Sequence, residues 1–147
     1  MNYMEINYLA LLACGISAVV LGMLWFGPIF GRMWRSSLGI SDAEVALAKA
    51  DPAMNRKMMR SSLIAFVFAL VMAYVLTHII TFGNVYMQMS GVGGGLQGAF
   101  WSWLGFVLPV LLGAVLWENK TMKWLTITAS YYLVLLLVMG AILGGWM

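Results

Sequence analysis

Charge is what this chain has least of. Eight Lys and Arg and five Asp and Glu make up 9% of its 147 residues, against about 25% in soluble globular domains. Such scarcity excludes an ordinary soluble domain. With 63% hydrophobic residues and a mean hydropathy of +0.94, the chain reads as one integral membrane domain. A net charge of +3 does not point to nucleic acid, because the cations sit in segments flanking apolar runs and form no solvated basic face. Cysteine occurs once, at Cys14, so no intramolecular disulfide forms, and a small buried apolar role suits it. Histidine also occurs once, at His78, which excludes a bis-histidine haem within one chain and leaves Glu5 as the sole acid available for a Ser-His-acid set.

Four runs are long enough to cross roughly 30 Å of hydrocarbon. They are about Ile6 to Phe26, Ser62 to Phe82, Leu96 to Trp117 and Trp124 to Trp146, none with an interior Asp, Glu, Lys or Arg. Leu11 to Gly15 imitates a lipoprotein cleavage box, but Glu5 is the only charge before Arg32 and the apolar run continues, so the segment reads as a retained span. All eight cations fall in the connector Gly27 to Ser61 and in the short turn with Lys120 and Lys123, and the connector Gly83 to Gly95 is uncharged. The positive-inside rule then puts both termini outside the cytoplasm. The predicted architecture is all-α: an integral membrane four-helix bundle with an amphipathic cytoplasmic connector between its first two spans.

Within that connector, Ser41 with Glu44 is a capping-box pattern that predicts a helix from Asp42 to about Ala50. Asp51 and Pro52 suit the cap and first position of the next helix, which runs through Arg56, Lys57 and Arg60. Phe30, Met33, Trp34 and Leu38, interleaved with Arg32 and Arg35, suit a piece lying among headgroups. Trp25, Trp34, Trp117 and Trp124 are expected at the cytoplasmic boundary, and Trp101, Trp103 and Trp146 at the outer one. Gly140 and Gly144 have the GxxxG spacing of closely packed helices, within the chain or between copies. Pro109, near the middle of the third span, removes one backbone hydrogen bond and predicts a kink there.

The segments LGMLWFGPIFGRMW (Leu21 to Trp34), VMAYVLTH (Val71 to His78), WLGFVLP (Trp103 to Pro109), LWE (Leu116 to Glu118) and the closing run from Tyr131 have a pattern of their own. On these the chain resembles a bacterial family known as domain of unknown function 1761, nearly end to end. The resemblance implies a small four-helix protein of the bacterial inner membrane and brings no activity with it.

Candidate chemistry is sparse. His78 lies about 25 Å along the second span from Ser62 at roughly 1.5 Å per residue, in the outer layer of the bilayer. Tyr74 and Thr81 share its face, and Glu5, Asn7, Gln97 and Ser102 are partners at that depth. The group reads either as a hydrogen-bonded helix contact or as a binding or proton-relay site. Glu118, at a helix C-terminus where the dipole disfavours it, calls for a cation such as Arg32, Arg35, Lys120 or Lys123. Met87 and Met89 have thioether spacing for Cu(I), but two sulfurs are an incomplete site, so no metal and no cofactor is implied. The glycine-rich Ser90 to Gly95 lacks the Lys of a P-loop and is expected to be a flexible turn.

Three functions follow. The first is a small transporter or channel-like homo-oligomer with a polar layer around His78, its ion or small-molecule substrate unspecified. The second is a non-transporting protein that binds or stabilises a partner or a lipid of the surrounding bilayer through its basic connector and small-residue faces. An intramembrane enzyme is disfavoured, because acid–base work wants convergent titratable groups.

Overall fold

The structure, a computed structural model, describes residues 6–146. Helix α1 (Tyr8–Leu24) starts where Asn7 Oδ1 accepts the N–H groups of Leu9 and Ala10, at 3.1 and 3.2 Å. It passes through a π-helical turn at Trp25–Ile29 into α2 (Gly31–Ser37). Helix α3 (Asp42–Ala50) has the expected box in full: Ser41 N–H donates to Glu44 Oε2 at 2.8 Å, and Glu44 N–H donates to Ser41 Oγ at 3.3 Å. These bonds hold the Glu44 carboxyl below its usual range. Asp51 then caps α4 (Pro52–Met87), which is 36 residues long, through the N–H of Ala53 at 2.8 Å.

The third apolar segment departs from expectation at its start, and in its middle it is disrupted ahead of Pro109 as its sequence predicts. Helix α5 runs Gly91–Ser102, so the glycine run is its first turn and not a flexible loop. A second π-helical turn, Trp103–Val107, precedes α6 (Leu108–Trp117). Pro109 is the second residue of α6, and the π turn lies where its ring would otherwise press on the Gly105 carbonyl. Asn119, in the left-handed region at φ 57°, turns the chain into α7 (Met122–Gly145), capped by Thr121 Oγ1 on the N–H of Trp124 at 3.1 Å. Among the described residues, four helical stretches are thus long and apolar enough to cross a membrane: Tyr8–Ile29, Pro52–Met87, Gly91–Trp117 and Met122–Gly145.

Helix α7 is the post around which the others pack. Half of its most apolar stretch is buried inside the protein, against 28% for α1 and α4 and 6% for the third segment. Close approach comes from small residues. Along α1, Ala10, Cys14 and Ala18 are buried at four-residue spacing, with the Cys14 thiol 3.8 Å from the Met139 carbonyl. Along α4, Ala69, Ala73 and Thr77 do the same.

The tightest seam joins α5 to α7. A Cβ on Gly95 would land on the Gly140 carbonyl oxygen, one on Gly140 on the Gly95 carbonyl, and one on Gly144 on the Gly91 carbonyl. Gly91 itself sits at φ 64°, where an L side chain is strained. The GxxxG pair of α7 is therefore used inside the chain, while Gly105 and Gly113 have nothing within 4 Å of a Cβ position.

Both π turns hang on α7. Trp25 donates its indole N–H to the Ile127 carbonyl at 3.1 Å, and Trp103 donates to the Ala129 carbonyl at 2.9 Å. Those carbonyls are two residues apart, so the two indoles stand within about 3 Å of the same height on α7. Trp103 therefore does not mark the opposite boundary from Trp25. An indole that can satisfy its N–H inside a bundle has no need of the headgroup layer.

Candidate functional site

Starting from the sequence candidates, Tyr74 and His78 come together on α4, with ring centroids 4.6 Å apart. His78 Nδ1 lies 2.8 Å from the Tyr74 carbonyl oxygen. A carbonyl can only accept, so Nδ1 carries the proton and Nε2 is the nitrogen left for another partner. Thr81 donates its hydroxyl to the Thr77 carbonyl at 2.8 Å. Glu5 lies outside the described residues. Asn7 is occupied as the cap of α1, and Ser102 donates to the Gly98 carbonyl at 2.7 Å.

Gln97 is not brought onto the histidine. It lines a hollow of about 700 Å³ between α4 and α5 with Ile79, Phe82, Gly83, Tyr86 and Trp101. At about 100° per residue the centre of that α4 face is a quarter turn from His78. Met87 and Met89 line the same hollow. Among the described residues, no group of three or more His, Cys, Asp or Glu could hold a metal ion.

At the cation-bearing end, Glu118 is exposed and follows the last residue of α6. Of the cations expected to answer it, Lys120 lies over the Trp124 ring, 5.9 Å from its centroid, and Lys123 donates to Ser36 Oγ at 3.0 Å. Arg35 is half-buried beside Gly31, its Nε buried without a hydrogen-bond partner, and Arg32 is exposed.

The most developed cluster is one that sequence reasoning did not single out. Tyr131 of α7 sits against Phe26 at a centroid distance of 4.8 Å, Trp25 at 6.3 Å and Tyr132 at 5.1 Å. Phe26 meets Trp34 at 5.2 Å, so the aromatic group ties α2, the first π turn and α7 together. The Tyr131 hydroxyl faces Gly22, 3.3 Å from where a Cβ would stand.

Two adjoining hollows open at this junction. One, of about 170 Å³, is bounded by Ala18, Ala65, Ala69, Tyr131, Tyr132 and Leu135. The other, of about 440 Å³, shares Ala18, Ala65 and Tyr131 and continues past Gly22, Met58 and Ser62 toward the basic start of α4. The hollows exist because the small-residue stripes of α1 and α4 face each other where α7 presents tyrosines instead of a matching small residue. The readable signal was those stripes, Ala10-Cys14-Ala18-Gly22 and Ala65-Ala69-Ala73, which periodicity alone gives.

The family model Protein of unknown function (DUF1761) matches residues 9–144. The chain belongs to that family. Neither the curated proteins nor the solved structures provide a match. The match takes in α1 through nearly the whole of α7, and with it the glycine seam, both π turns and the Tyr131 junction.

Proposed function

We propose that this DUF1761 protein is a single-domain four-helix bundle of the bacterial inner membrane, with both termini outside the cytoplasm, that binds membrane lipid and does not conduct solutes. The observation that carries this reading is how its buried polar groups are spent. The buried polar side chains among the described residues are Thr77 and Thr128, 4% and 7% exposed. Thr77 donates to its own helix at the Ala73 carbonyl, 2.9 Å away, Thr128 Oγ1 is buried without a hydrogen-bond partner, and His78 is tied to Tyr74 on its own helix, so none of the three reaches across to another helix. A transporter or channel-like homo-oligomer with a polar layer around His78 would need that ring in the wall of a wet cavity. The hollows described above are walled by Ala, Gly, Met, aromatic and aliphatic side chains, Gln97 and Ser62 being the polar non-aromatic ones, and His78 lines none of them.

Purified protein in liposomes, offered a panel of ions and small solutes, is expected to give no flux above empty vesicles, before or after His78→Ala. A flux carried by the wild type and lost in His78→Ala overturns the reading.

A further inference from the structure

We propose that the paired hollow at Tyr131 takes one acyl chain of an anionic phospholipid, whose headgroup rests on the basic first turns of α4. This deepens the lipid-binding reading and rests on it. The interior of the hollow suits a chain and refuses a headgroup. Its walls carry no charged residue, and their polar side chains are Ser62 near the mouth and the two tyrosines further in. A phosphate drawn inside would lose its hydration without a cation to replace it.

The mouth is the opposite case. Met58 and Ser62 form its α4 side, and the same stretch, residues 52–62, carries Arg56, Lys57 and Arg60 and no acid, all three cations exposed. The α1 side leads through Phe26 and Gly27 to Arg32 and Arg35. All eight Lys and Arg of the chain lie toward this end, against four acids there (Asp42, Glu44, Asp51 and Glu118), and the surplus of four positive charges makes the complementary headgroup anionic and not zwitterionic. The route in is lateral. Ala65 and Phe68 on the rim are exposed on the flank of the bundle, Phe68 at 64%, so a chain slides in from the bilayer while its headgroup stays in the headgroup layer.

The test uses the full chain in vesicles of equal phosphatidylglycerol and phosphatidylcholine, extracted into mild detergent and weighed by native mass spectrometry. The wild type is expected to retain one phosphatidylglycerol per chain, about tenfold over phosphatidylcholine. Ala65→Phe plugs the hollow from an exposed position and is expected to lose that retention about tenfold, with its melting curve reporting that the fold is kept. The triple variant Arg56→Gln, Lys57→Gln, Arg60→Gln leaves the hollow intact and is expected to retain both lipids at near parity. Equal retention of the two lipids by the wild type, undiminished retention by Ala65→Phe, or a preference unchanged in the triple variant overturns the proposal. Solute flux from the same vesicles bears only on the non-conducting reading, so the two failures are distinguishable.

Discussion

The α5–α7 seam and the α1–α4–α7 junction are built from the same material, small residues at four-residue spacing, and they come out opposite. In the seam, glycine meets glycine across the interface and the backbones touch, with no room for a single Cβ at Gly95, Gly140 or Gly144. In the junction, Ala18, Gly22 and Ala65 meet Tyr131, and a hollow of about 440 Å³ remains. Small residues make helices approach only when both faces are small. Where one face is aromatic, the same spacing makes a cavity instead. We read the seam as scaffold and the junction as the working surface.

The largest effect that would break this contrast lies in the seam. Gly95→Ala drives a Cβ onto the Gly140 carbonyl, a backbone atom that cannot swing aside, and is expected to lower stability by about 3 kcal/mol. Thermal melting in nanodiscs checks it, and a variant as stable as the wild type means that α5 and α7 are further apart than described.

Next in size is the pair of indole bonds that fixes both π turns to the post. Trp103→Phe removes the N–H that reaches the Ala129 carbonyl and is expected to cost about 1–2 kcal/mol, with an aromatic ring kept in place. Trp25→Phe should do the same at Ile127. A double-mutant cycle tells whether the two turns are held independently.

The smallest effect is confined to α3. Ser41 holds the Glu44 carboxyl below its usual range, so the box stabilises α3 fully above the ordinary carboxylate value. That stabilisation is lost as pH falls through the depressed one. The protection of the amides across residues 41–51, measured as observed exchange relative to the intrinsic rate at each pH, is expected to fall on acidification in the wild type and to be lower and nearly pH-independent in Glu44→Gln, while the seam is unmoved in both.

Local chemistry was legible in the sequence where a residue acts on its own neighbours. The Ser41 and Glu44 box, the Asp51 cap with Pro52 at the first helical position, and the disruption ahead of Pro109 all follow from side chains meeting backbone within one turn. What was not legible depends on what lies across an interface. Gly91 to Gly95 reads as a flexible turn because each glycine disfavours a helix by roughly 1 kcal/mol. Packing on Gly140 and Gly144 outweighs that preference. Trp103 reads as a boundary residue because nothing local reveals a free carbonyl at Ala129. Gln97 shares the depth of His78 but not its face, and depth was all that a hydropathy profile could supply. Tyr131 went unnoticed as a site because its importance comes from the small residues of two other helices.

One paired measurement goes to the difference between the two regions. Gly140→Ala and Gly22→Ala make the same chemical change, one against the Gly95 carbonyl and the other 3.3 Å from a tyrosine hydroxyl that borders open space. Melted side by side in the same nanodiscs, Gly140→Ala is expected to fall by on the order of 10 °C, while Gly22→Ala stays within about 3 °C of the wild type. Equal shifts for the two variants would contradict a closed seam beside an open junction.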